Sequence, residues 1–154
     1  MTLTRCRMTD WLQRNLSETF SLPPLAVEWL LSLFNVIQVF DDATDGDEID
    51  PNQLRAAIYD SLAGFYLNPF FRENAGVLVP LLAVNILKWN GANQAERDGA
   101  ADAMSFAWRA GYYDVVLMVV NICHGPRAAE DNARAVMSLY GEKYADYLAE
   151  FNHA

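Results

Sequence analysis

The chain has 154 residues, 20 acids against 11 bases for a formal charge of −9, and a hydrophobic fraction of 53% that includes four Trp, seven Tyr and eight Phe. A chain this apolar is not disordered, and its negative field disfavours direct contact with nucleic-acid phosphates and anionic lipid heads. Cys6 and Cys123 are the only cysteines, so no disulfide framework is implied and a reducing, cytoplasmic setting fits.

No apolar run follows the charged residues near Met1, so no signal peptide is read. The apolar stretches, interrupted by Glu28, Asn35, Pro80, Asn85 or Asp114, fall short of the ~20 residues that cross a bilayer. The expectation is a soluble protein without membrane contact.

Helical periodicity recurs along the chain with no strand alternation. Thr9 or Asp10 is placed to cap a first helix carrying Trp11, Leu12, Leu16 and Phe20. Ser21-Leu22-Pro23-Pro24 ends it, and a second helix runs to about Phe40 with apolar residues nearly all round, the pattern of a central helix. Its polar exceptions Asn35, Gln38 and Asp42 share one face. Asp50-Pro51 starts a third helix that ends near Tyr66, and Leu67-Asn68-Pro69 is a turn. Phe70 to Asn74 add a short helical turn. Asn74 then caps a fourth helix, kinked or delayed by Pro80 and closed by Gly91.

The fifth helix is predicted as the longest, from Gln94 to Cys123, with a polar first third and a stop at Gly125-Pro126. Asp114, Asn121 and His124 form a second polar stripe in its core-like part, where a carboxylate needs a partner such as Arg109, Tyr112, Tyr113 or Lys88. A last helix spans Ala128 to Phe151 on a spacing of four through Val136, Tyr140, Tyr144 and Leu148. The fold class read from this pattern is all-α: a single-domain bundle of about six helices around a central apolar helix.

The chemistry centres on Phe40-Asp41-Asp42-Ala43-Thr44-Asp45-Gly46-Asp47-Glu48-Ile49-Asp50, which has six acids in eleven residues. Such a cluster repels itself, at about 1 kcal/mol per bare pair at ~4 Å in water. A divalent cation would relieve that repulsion. On a helix, Asp41 and Asp45 point the same way and can share a hard cation bridged to phosphate oxygens. The candidate metal ligands are therefore Asp41, Asp42 and Asp45 with Asp114, and the secondary set is Asn35, Gln38, Asn121, His124 and Glu142. Mg2+ is the expected ion, with Ca2+ or Mn2+ as alternatives, and no organic cofactor is indicated. No nucleophile motif, phosphate loop, CxxC pair or HExxH is present, so no catalytic residue is assigned.

Three resemblances bear on this stretch. Asp41-Asp42-Ala43-Thr44-Asp45 resembles the DDxxD motif of isoprenoid synthases, which are all-α and bind diphosphates through magnesium. The counterpart of that family's second metal motif is Arg134, Ser138 and Glu142, with arginine at the first ligand position. Asp41 to Gln53 is similar to an EF-hand loop, except that Ala43 stands at the third position and Gln53 where a bidentate Glu is needed.

More widely, Phe40 to Asp47, Asn68 to Phe71, Leu87 to Trp89, Trp108 to Val115 and Leu139 to Glu142 resemble small proteins from phage and prophage regions of Gram-negative bacteria. That likeness implies an accessory role and carries over no site. The reading is a metal-holding helical domain that binds or acts on a phosphorylated small molecule. The alternative is a non-enzymatic phage-type accessory protein whose acidic surface engages a basic host protein. The oligomeric state is not read.

Overall fold

The computed structural model of the chain describes residues 2–139 and 143–151, with side chains described from Met8 onward. Among them every regular element is helical and no strand occurs, so the all-α class holds. The chain divides into two compact units, residues 1–75 and 76–154.

In the first unit, α1 (Thr2–Arg14) continues into a π turn, Asn15–Thr19. Thr9 and Asp10 therefore lie inside a helix whose start is seven residues earlier than Thr9. After the Ser21 to Pro23 break comes α2 (Pro24–Asp45), with Pro24 in its first turn, where a missing N–H costs nothing. It ends at Gly46, whose φ of 77° is the left-handed cap conformation that glycine adopts without strain. The predicted end at Phe40 was too early, because Asp41 to Asp45 complete one more helical turn.

Asp50 caps α3 (Pro51–Tyr59) as predicted, its Oδ1 accepting from the Asn52 N–H at 2.9 Å. The helix passes through a second π turn (Asp60–Gly64) into α4 (Phe65–Leu67) and stops at Asn68, whose backbone is extended before Pro69.

The predicted central helix is the core of this unit. Ala26, Val27, Trp29, Leu30, Leu33, Phe34, Val36 and Val39 of α2 are all buried. Trp29, 1% exposed, stacks on Phe71 with ring centroids 5.1 Å apart and meets Phe65 edge-on at 6.0 Å. Burying an aromatic of this size contributes about 1.5–3 kcal/mol by transfer alone. Asn68 fixes the turn beneath it, donating from Nδ2 to the Leu25 carbonyl at 3.0 Å and accepting the Phe71 N–H at 3.2 Å.

The next helix departs most from expectation. α5 (Pro69–Arg97) runs unbroken through Asn74, Pro80 and Gly91, where a cap, a kink and a stop were predicted. Asn74 turns its Nδ2 back to the Phe70 carbonyl at 2.8 Å. Gly91 is absent from the glycines with positive φ and instead admits Trp108, whose ring lies 3.4 Å from where a Cβ would stand.

In the second unit the predicted Gln94–Cys123 helix is two helices. Gly99, at φ 69°, ends the preceding turn. A capping box then starts α6 (Ala103–Arg109), with Asp102 Oδ1 accepting the Ser105 N–H and Ser105 Oγ accepting the Asp102 N–H. Ala110 (φ −84°, ψ 34°) breaks the chain before α7 (Gly111–His124).

Gly125 (φ 88°) ends α7 where predicted, and Pro126 opens α8 (Pro126–Met137). The single last helix is likewise divided: α9 covers Tyr144–Phe151, and Tyr140 lies outside the described residues.

A buried polar network joins three of these helices. Arg109 Nη1 reaches both Glu96 carboxylate oxygens at 2.6 and 2.7 Å, and the Tyr147 hydroxyl donates to Glu96 Oε1 at 2.9 Å and lies 2.7 Å from Ser105 Oγ.

Candidate functional site

The acidic stretch is the last turn of α2 plus the loop that follows. Asp42 is buried at 8% exposure, Asp41 is half-buried, and Asp45, Asp47, Glu48 and Asp50 are exposed. The Asp42 carbonyl accepts the N–H groups of both Gly46 and Asp47. Carboxylates here oppose the helix dipole. Residues 41–45, which the calcium-loop resemblance places in a loop, are helical.

Among the described residues no three His, Cys, Asp or Glu side chains come together as a group able to hold a metal ion.

Asp114 differs from its expected setting. Because α7 begins at Gly111, Asp114 sits in the first turn, where a negative charge complements the helix dipole. It is exposed, and Lys88 Nζ of α5 donates to its Oδ2 at 3.1 Å. Arg109, another predicted partner, pairs with Glu96. Asn121 is half-buried with Nδ2 3.7 Å from the Met118 sulfur, and His124 is exposed at the end of α7. On α2, Gln38 is half-buried beside Asp42 and Asn35 is exposed. Glu142 lies outside the described residues.

Sequence reasoning missed a concave site in the first unit. A cavity of about 260 Å³ is lined by Glu28 and Trp29 of α2, by Tyr59, Asp60, Gly64 and Phe65 of the α3–α4 run, and by Asn68. Burial pushes the Asp60 carboxyl above the ordinary carboxylate value. The Trp29 Nε1–H is buried and has no acceptor. No motif marks these residues; the only signal was the one tryptophan of α2.

The second unit holds two further buried groups without partners. Both side-chain polar atoms of Asn85 lack a hydrogen bond, as does Asn93 Oδ1. Asn85 presses on Gly111, where an added Cβ would stand 2.8 Å from its Cβ and Cγ.

Large apolar side chains also remain in solvent. Leu54, Ile58, Leu62 and Tyr66 recur every four residues from α3 to α4 and are between 39% and 77% exposed. Val77, Val79, Val84, Ile86 and Leu87 of α5 are exposed as well. By length and composition α2, with 22 residues, and α5, with 29, are long and apolar enough to cross a membrane. The stretches read as too short are thus parts of longer helices.

The chain is therefore an all-α protein of two helical units with a cavity, an acidic loop and two exposed apolar faces. No family model, curated protein or solved structure matches it.

Proposed function

We propose that this chain is a non-enzymatic interaction protein that engages a basic partner through its first unit. The observation that carries this reading is the exposed stripe Leu54, Ile58, Leu62 and Tyr66 on the helical run that begins at the exposed acids Asp47, Glu48 and Asp50. Residues four apart share one helix face. A contiguous apolar strip in solvent is the kind of surface that proteins reserve for partners.

Acids at its border supply a polar rim of one sign, which steers a basic partner and fixes its orientation. An amphipathic helix with a basic face is complementary in both respects. Such a role suits an accessory protein encoded in a phage or prophage region and acting in the host cytoplasm.

The test is titration with a cationic amphipathic Lys/Leu peptide of the wild type, Ile58→Asp with Leu62→Asp, and Asp47→Lys with Glu48→Lys. Binding should weaken at least about tenfold in each double variant and fall with added salt. Equal affinity across all three proteins sinks the proposal.

The burial of Asp42 beside Asp41 favours a second reading, a divalent cation on the last turn of α2. Magnesium is commonly held by one or two carboxylates with water and substrate phosphates completing its shell, so a phosphorylated small molecule would be the co-ligand. Thermal unfolding with Mg2+, Mn2+ or Ca2+ tests it. An ion at about one hundred times its dissociation constant adds ~2.7 kcal/mol, and Asp42→Ala should abolish the gain. An unchanged midpoint with every ion leaves the acids as surface.

A further inference from the structure

We propose that the cavity at the start of α2 is a binding site for a small organic cation, an alkylammonium group that carries a hydroxyl or carbonyl oxygen a few bonds away. The inference is independent of the acidic loop, which lies at the other end of α2. About 15 Å of helix separates Ser32, on the cavity wall, from Asp42.

The sign of the ligand follows from the lining. Glu28 and Asp60 line the cavity, and among the described residues no Lys, Arg or His lines it and neither carboxylate is in an ion pair. An anion would be repelled, so this is not a phosphate site.

Asp60 opens the π turn Asp60–Gly64, which brings its carboxylate back over Gly64. A Cβ at Gly64 would come 2.8 Å from Asp60 Oδ1, and only glycine leaves that space free. Single π turns of this kind recur at functional sites.

The oxygen on the ligand follows from Trp29. A buried N–H without an acceptor is rare in a folded protein, and the Trp29 Nε1–H is such a donor in a residue that lines the cavity. That N–H is closed off from solvent in the free protein, so a ligand oxygen would complete it on a small shift of the lining, while the ammonium pairs with Asp60 and Glu28. Tyr59 and Phe65 add aromatic faces, the surfaces on which organic cations rest.

The wall behind the indole is preformed. Trp29 is stacked on Phe71, and both side-chain ends of Asn68 are hydrogen-bonded to backbone. Less ordering is then left for the ligand to impose. At about 260 Å³ the cavity is slightly below the usual range for drug-sized ligands, which suits a molecule of a few carbons.

The experiment is a 1H–15N titration that follows the Trp29 indole N–H, assigned by its loss in Trp29→Phe. Ethanolamine represents the free amine and glycinamide the same chemistry at a protein N-terminus; propylamine lacks the oxygen and ethanol lacks the charge. The proposal expects a saturable shift of the Trp29 N–H with one or both of the first two compounds in the millimolar range.

Binding should be about tenfold weaker for propylamine and for Asp60→Asn, weaker again when Glu28→Gln is added, and absent for ethanol. The tighter of the two ligands identifies the source. No saturable shift with either, or equal affinity in the Asp60→Asn, Glu28→Gln double variant whose other indole signals are unmoved, overturns the proposal.

Discussion

α2 and α5 look alike in sequence and are opposite in structure. Both are long and apolar, yet 44% of the apolar stretch is buried in α2 and 17% in α5. The buried positions of α2 surround most of its circumference, whereas those of α5 include Phe71, Leu78, Asn85 and Ala92, seven apart on one narrow line.

In the C-terminal half of α5 the polarity is also reversed. α5 turns Asn85, Lys88, Asn93 and Glu96 toward its neighbours and leaves Val77, Val79, Val84, Ile86 and Leu87 in solvent. Hydrophobicity determines which helices need neighbours; the rest of the chain determines which helix receives them. α2 is held by apolar packing. α5 is tied by polar contacts to Asp114, Arg109 and Tyr147.

The largest effect should separate the two helices directly. Trp29→Ala removes the most buried aromatic of α2 and should cost ~3–5 kcal/mol. Ile86→Ala on the outer face of α5 should stay within about 0.5 kcal/mol. Denaturant midpoints at constant m-value measure both. If Ile86→Ala cost as much as Trp29→Ala, the outer face of α5 would be covered in solution and the contrast would fail.

A second prediction sharpens the polar half of the contrast. Burial pushes the Tyr147 hydroxyl up to about 12, with the neighbouring Glu96 charge acting in the same direction. The folded state then holds this proton more tightly than the unfolded chain, whose tyrosine titrates near 10. The stabilisation is complete below pH ~10 and is lost as pH rises toward ~12, on the order of 2 kcal/mol in total. Tyr147→Phe should flatten that alkaline loss in a urea series read across pH 9 to 12. A slope unchanged in the variant assigns the loss to other groups.

Local signals explain which parts of the architecture were legible. Asp50-Pro51, Gly125-Pro126, Asn68-Pro69 and the apolar circumference of α2 act within a few residues of themselves, through cap geometry, a missing N–H or a packed face, and each was read correctly. Pro80 and Gly91 carry equally strong local signals, and α5 runs through both. At Gly91 a tertiary contact decides, because Trp108 fills the space of the missing side chain. The break at residues 98 to 102 was missed because Asp102 reads as one more exposed acid until Ser105 is seen to complete the capping box.

The site was less legible for the same reason. Acid clusters are visible in a sequence, but Asp114 turned to Lys88, while the cavity around Trp29 and Asp60 is assembled from α2, the π turn and Asn68, with no motif to announce it.

The smallest effect tests whether that cavity is tuned for a ligand at the expense of stability. Burial raises the Asp60 carboxyl, so its contribution to folding is favourable while it is protonated and is lost as pH rises through its folded value. At neutral pH the ionised Asp60 is therefore a deficit that a cation would relieve. Asp60→Asn keeps the shape, removes the charge and should raise stability by no more than about 0.5 kcal/mol at pH 7. At pH ~3, below the ordinary carboxylate value, wild type and variant carry the same charge here and the difference should vanish. An equal gain at both pH values would trace the effect to packing of the amide. A gain confined to neutral pH, in the variant that loses ethanolamine, would show that α2 carries at one end a carboxylate kept for binding.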